Sequence, residues 1–353
     1  MRTKLAEPSR ALSLTILLWY ASQTWAQPQH SSPKAVDVYG DELQPGAVGR
    51  LGTVRFRHGG WVRSVACSPD GQKIATPDGK DIRIWEIATG KELRRWQGDH
   101  QGPAPAALSP NGKILATGSG YDDLLHLWDY ATGQKLRTIR GHDHTVDLVA
   151  FSPDGKLVAS ASSRVFAPAL TIYLWDVESG KEVRRIEGHH GNVSSFAFSA
   201  DGKQMVSTAT ADPVRVWDVE TGKQRLEIGD WQMKMMSAAF SPDGRTIAAA
   251  GYAKAIVLFE AATGKERARL EGHSDRVSTV VFSADGKLLA SESWDGTVRI
   301  WDAASLRETR RFPASKGRMQ CIAFSPDSKA LAVEQSEGTV IVWDLQRAGQ
   351  DRR

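Results

Sequence analysis

Two cysteines in 353 residues leave no disulfide framework, even for an oxidising compartment. Charge of one sign is scarce too. The formal net charge is +4, and Arg2, Lys4 and Arg10 against Glu7 account for half of that excess. The remainder gives no electrostatic case for nucleic-acid binding. Catalytic signatures are missing: there is no Gly-x-Ser-x-Gly elbow, no P-loop and no His-Glu-x-x-His. Asp-Gly pairs are frequent, yet none stands in the Asp-x-Asp-x-Asp-Gly spacing of a calcium loop, and turn chemistry explains them. These absences predict a non-enzymatic protein without metal or cofactor. Beyond the first residues no apolar run is long enough to span a bilayer.

The chain does have a tryptophan that returns at near-constant spacing. Trp85, Trp128, Trp175, Trp217, Trp301 and Trp343 follow one another at 42 to 47 residues, with one double step in which Phe259 fills the missing place. An acid follows each aromatic: Glu86, Asp129, Asp176, Asp218, Glu260, Asp302 and Asp344. Ahead of each lies a second marker, seen first as Ser68-Pro69-Asp70-Gly71 and last as Ser325 to Ser328. Seven units of this length predict an all-β, seven-bladed propeller of four-stranded antiparallel blades. In the sixth unit the strands read Val277 to Ser283, Leu288 to Ser291, Thr297 to Trp301 and Glu308 to Phe312, joined by Asp-Gly turns at Asp285-Gly286 and Asp295-Gly296.

The seventh unit stops at Trp343-Asp344-Leu345 without a fourth strand, while an orphan strand, Leu51 to Arg57, stands at the front. The N-terminal strand is therefore expected to complete the last blade and close the ring, removing the open edges. Residues 51–346 form the expected propeller. Residues 27–50 read as a linker or strap, and 347–353 as a charged tail. Cys67 and Cys321 fall on the inner strands of blades one and seven, neighbours after closure. Their offsets from the marker serines differ by three residues, so buried free thiols are expected over a disulfide.

Residues 1–26 have the build of a secretory signal: a basic start, an apolar stretch from Ala11 to Ala21, and Thr24-Trp25-Ala26 before a cleavage point at Gln27. Export to a periplasmic or extracellular place is expected, with no integral membrane segment after leader removal. No Cys follows the apolar run to carry a lipid anchor.

The markers from Leu51 to Leu345 resemble those of the WD-repeat family. The resemblance implies a buried hydrogen-bonded set in many blades: His before the first strand, Ser or Thr in the second, Asp in the following turn and the third-strand Trp. Blade six matches it with His273, Ser291, Asp295 and Trp301. Blade four has His189, Ser207 and Trp217 with Asp212 shifted by one, and blade three lacks the Asp. Blade two has Asp99 in the His slot. Blade five has Trp231 in the His slot, with Ala249 and Phe259, and blade seven has Ser315, Val333 and Glu337. Those two are expected to rely on apolar packing. Tyr39 to Ala47 is similar to the lead-in of exported bacterial members of the family.

Two surfaces stand out. The outer strands are rich in arginine, including Arg94, Arg95, Arg137, Arg184, Arg185, Arg267, Arg310 and Arg311. They either bind an anionic polymer or protect the edges by charge, and edge protection is favoured. Seven residues before the marker serines stand Trp61, Asn192, Lys234, Arg276 and Arg318. Seven residues before the third-strand aromatic stand Tyr121, Tyr252 and Trp294. In the family these turns open on the partner-binding face, and exposed aromatics beside Arg are typical interface anchors. The expected function is an exported, non-enzymatic, monomeric scaffold that binds a protein or peptide, possibly acidic, at this face. The alternatives are an exported propeller hydrolase or lactonase-like enzyme, or a module for an anionic cell-surface polymer.

Overall fold

The computed structural model describes Leu43 and residues 47–51, 64–77, 80–99, 104–119, 122–142, 144–162, 170–314, 321–335 and 339–346. All of them lie within the unit Ala35–Arg353. The expected leader (1–26), most of the linker and the tail lie outside the described residues.

Strand β1 (Ala47–Leu51) precedes the repeats. Blade one is β2 (Ala66–Cys67), β3 (Lys73–Pro77), β4 (Asp81–Glu86) and β5 (Glu92–Gln97). Blade two is β6 (Ala106–Leu108), β7 (Ile114–Thr117), β8 (Leu125–Asp129) and β9 (Lys135–Ile139). Blade three is β10 (Leu148–Phe151), β11 (Leu157–Ala161), β12 (Leu170–Asp176) and β13 (Glu182–His189). Blade four is β14 (Val193–Phe198), β15 (Gln204–Ala209), β16 (Val214–Asp218) and β17 (Gln224–Ile228). Blade five is β18 (Met235–Phe240), β19 (Thr246–Gly251), β20 (Ile256–Glu260) and β21 (Glu266–Leu270). Blade six is β22 (Val277–Phe282), β23 (Leu288–Ser293), β24 (Thr297–Asp302) and β25 (Glu308–Pro313). Blade seven is β26 (Ile322–Phe324), β27 (Ala330–Gln335) and β28 (Thr339–Asp344), completed by β1 in antiparallel pairing with β28. The fold is an all-β propeller of seven four-stranded antiparallel blades.

The repeated sequence markers each perform a local task. In the Ser-x-Asp-Gly turn the serine hydroxyl donates to the Asp carboxylate, at 2.6 Å in Ser152–Asp154 and 2.7 Å in Ser283–Asp285. It also accepts the N–H five residues on, at 2.9 Å from Leu157 and from Leu288. The acid after each aromatic closes the next turn. Asp218 accepts both the N–H and the hydroxyl of Thr221, at 2.8 and 2.7 Å.

The third-strand aromatic packs on the preceding blade. Trp217 joins Ala159 and Leu174 of blade three, and Trp301 joins Ala248 and Ile256 of blade five. Trp85 joins Ala332, Val340 and Val342 of blade seven, so blade one is sealed onto the last blade and the ring closes. Burying such an indole contributes a few kcal/mol at each seam.

The closing strand lies earlier than the sequence pattern placed it. It ends at Leu51, where the expected strand began, and residues 52–57 lie outside the described residues. The register explains the difference. The last buried apolar residue of the other outer strands, such as Ile228, Leu270 and Phe312, stands opposite Val214, Ile256 and Val298, at the first or second residue of the third strand. Leu51 takes that rung opposite Val340, which sets Ala47 opposite Trp343. Leu51 is thus the last apolar residue of its strand, not the first.

The buried polar set is complete in blade six. His273 Nδ1 lies 2.9 Å from Asp295 Oδ2, its Nε2 lies 2.8 Å from Ser291 Oγ, and Trp301 Nε1 donates to the same hydroxyl at 2.8 Å. Blade four closes the same set through His189, Asp212, Ser207 and Trp217 despite the shift of Asp212 by one residue. In blade three, Ser160 takes the Trp175 N–H and contacts His142 Nε2, and Tyr173 packs on His142 at a ring separation of 4.4 Å. Asp99 of blade two does not enter such a set: its exposed carboxylate pairs with Lys135. The glycine before each of these histidines is required. At Gly141, Gly188 and Gly272 φ lies between 132° and 149°, and the backbone runs against the indole or a buried guanidinium. Among the described residues Trp343 of blade seven has no partner for its N–H, and it stacks on Phe312 at 4.6 Å.

Cys67 and Cys321 are free thiols. They share an apolar cluster at the seam of blades seven and one, and burial pushes the Cys67 thiol up to about 12.

Candidate functional site

Strand direction alternates within a blade, so the loop entering the first strand and the loop between the second and third open at the same end. In blades five and six these loops are tied together by the backbone. The Lys234 carbonyl accepts the Tyr252 N–H at 3.3 Å, and the Arg276 carbonyl accepts the Trp294 N–H at 3.1 Å. A Cβ at Gly251 would stand 2.2 Å from the Lys234 oxygen, so only glycine permits the first of these approaches. The Ser293 hydroxyl donates to the Arg276 carbonyl at 2.9 Å and braces the second.

These ties bring four side chains together. The Arg276 guanidinium lies 3.9 Å from the Trp294 ring centre and 4.5 Å from that of Tyr252. It is held between the two rings across the seam of blades five and six. Lys234 Nζ stands 5.8 Å from the Tyr252 ring centre. Each cation–π contact is worth on the order of 1 kcal/mol at an exposed site, and the stack fixes an otherwise mobile arginine. The Arg276 side chain is still 30% exposed, and its one close carboxylate among the described residues, that of Asp275, lies 3.9 Å from Nε. The guanidinium edge therefore remains open to a further acceptor.

Asn192 occupies the equivalent rung of blade four, where its carbonyl accepts the Thr210 N–H at 2.9 Å. Trp61, Tyr121 and Arg318, the other residues expected on this face, lie outside the described residues.

Sequence reasoning placed Trp231 in the histidine slot, and the structure corrects this. Asp230 accepts the N–H groups of Gln232 and Met233 at 2.8 and 3.2 Å, folding Trp231–Met233 into a single 3-10 turn. Lys234 ends the turn in the left-handed region at φ 44°. Trp231 is left 55% exposed, and Met233 packs on the core instead. The signal lay in Asp230: an acid placed to cap a turn outweighs the pull of an indole toward a slot that lacks its serine and aspartate partners. Trp231 and Tyr252 are thus exposed aromatics on adjoining loops of blade five.

The arginine-rich rim differs in kind. Arg95, Arg185, Arg269 and Arg311 each hold a glutamate three residues earlier in the same strand, with Nε–O distances of 2.7 to 3.0 Å. Arg184 donates to the Thr221 carbonyl in the next blade at 3.3 Å. Much of the rim charge is spent on neighbours. Among the described residues no group of three or more His, Cys, Asp or Glu is arranged to hold a metal ion, and no helix is long and apolar enough to cross a membrane.

The WD domain, G-beta repeat family matches residues 50–86, 92–129, 133–176, 180–218, 264–302 and 306–344. The chain belongs to the WD-repeat family. The unmatched stretch between 218 and 264 contains the inner three strands of blade five, the blade with Ala249 and Phe259 in place of the polar set. WD-repeat propellers commonly serve as protein-interaction scaffolds and are typically non-enzymatic.

Proposed function

We propose that this WD-repeat propeller is an exported, monomeric, non-enzymatic scaffold that binds a protein or peptide of acidic character on the face formed by blades five and six. The stack of Arg276 between Tyr252 and Trp294 carries the reading. Its rings offer flat apolar contact area, and its guanidinium, fixed before binding, offers an edge to a carboxylate at little further ordering cost. Trp231 and Lys234 extend the surface on the neighbouring loop. Asn192 would border it in blade four. The rim is the weaker candidate because many of its arginines already hold partners.

The test is affinity capture from the envelope fraction with the mature wild-type chain and with Arg276→Ala/Trp294→Ala. A partner recovered by the first and lost by the second supports the reading. Equal recovery contradicts it. Export is tested on the same preparation: the mature chain should begin at Gln27 and fractionate outside the cytoplasm.

A further inference from the structure

Glu292 is an unusual side chain among the described residues. It is wholly buried on β23, and among the described residues its carboxyl group has no partner beyond a weak interaction with the Thr279 hydroxyl. An ionised carboxylate in such a place costs several kcal/mol. Strand alternation shows where it points. Ala290, on the same face of β23, packs with Leu331, Val333 and Trp343 of blade seven. Glu292 therefore faces the seam between blades six and seven.

The same rung of the next blade carries a second acid. Glu334 stands on β27 as Glu292 stands on β23, and it too is buried. The corresponding residues of blades two to five are Gly118, Ala161, Thr208 and Ala250, so the carboxyls are confined to the last two blades. The groups around Glu292 are as follows. Thr279 of β22 and Val298 of β24 stand opposite it in the ladders. From blade seven come Glu334 and the thiol of Cys321, with Cys67 of blade one beside that thiol. Among the described residues the effects on Glu292 are burial first, then the Glu334 charge, both favouring the neutral acid, against a weaker opposing pull from the Thr279 hydroxyl. Blade seven is also the blade whose outer strand, β1, comes from the other end of the sequence and holds it without a covalent link.

We propose that Glu292, with Glu334 beside it, forms a proton-dependent clasp on the seam of blades six and seven: the protonated acid is tolerated there, and its ionisation loosens the ring. The folded chain keeps the Glu292 proton up to about pH 8, whereas the unfolded chain releases it near the ordinary value of 4.5. Between those values the folded state binds more protons, so stability falls as pH rises and levels off above the upper one. Trp294 follows β23 by one residue, so loosening this seam also disturbs the face that carries the Arg276 stack.

Thermal unfolding of the mature chain between pH 5 and pH 9 tests the clasp. The melting temperature of the wild type should decline through pH 8 more steeply than that of Glu292→Gln, which carries no proton to lose. Glu334→Gln should make the decline level off at lower pH, because removing the neighbouring charge eases ionisation of Glu292. Parallel wild-type and Glu292→Gln curves would overturn the proposal. If Glu292→Gln fails to fold, infrared spectroscopy of the wild type decides. A protonated-carboxyl band present at pH 6.5 and bleached by pH 9 supports the clasp, and its absence at pH 6.5 refutes it.

Discussion

The indole N–H of Trp301 donates to the Ser291 hydroxyl at 2.8 Å, and that hydroxyl is also the contact of His273, so one oxygen joins polar groups from two strands and the entering loop of blade six. The arrangement repeats in blade four through Trp217 and Ser207. It fixes the tilt of the aromatic that packs on the preceding blade.

His273→Ala leaves Asp295 and Ser291 each short of a buried partner and should destabilise the chain by roughly 1–3 kcal/mol. His144 is exposed and outside the set, so His144→Ala should cost much less. Chemical denaturation of the two variants makes the comparison, and equal losses would show that the assigned polar set does not hold the blade.

Acid should attack the same set. Burial alone would raise the Asp295 carboxyl, but bonds from Thr297, His273 and the Ser274 N–H outweigh it and hold the group at about 2. A depressed carboxylate stabilises the fold above its unfolded value near 3.8, and that contribution is lost as pH falls toward 2. Burial keeps the His273 imidazole below its ordinary value, so protonation on acidification is a further cost. Stability measured from pH 5 down to pH 2 should fall less steeply in Asp295→Asn than in the wild type.

Ring closure depends on β1. A mature chain truncated to begin at Gly52 leaves β28 with an open edge along Val340–Trp343. It should aggregate or lose cooperative unfolding. A melt indistinguishable from that of the full mature chain would show that β1 does not close the ring.

Gly251→Ala offers a test of the binding face that leaves its side chains in place. The new methyl would meet the Lys234 carbonyl, forcing the two loops of blade five apart. Partner affinity should drop although Lys234, Tyr252 and Arg276 are all retained, and circular dichroism should show the propeller intact.

The repeat made the blades legible, because each marker is a local chemical solution: a serine that closes a turn, an acid that caps one, an indole that needs a hydroxyl. The same register placed Arg276 and Trp294 on one face, since a fixed offset in a repeat becomes a fixed height in space. What escaped was set by single residues. Asp230 capped a turn and turned Trp231 outward. The sequence neighbours of Leu51 resemble other outer strands and make it look like the start of one, whereas the ladder uses it as the end. Glu292 went unnoticed because an acid on a strand gives no sign in sequence of which seam it enters.

The Arg276 stack is proposed as the partner's binding site. Its most direct test is the dissociation constant of the captured partner, measured by calorimetry for wild type, Arg276→Ala/Trp294→Ala and the rim reversal Arg184→Glu/Arg185→Glu. At least a tenfold loss, about 1.4 kcal/mol, is expected for the face variant and little change for the rim. The reverse outcome, binding abolished at the rim and kept at the face, would contradict it.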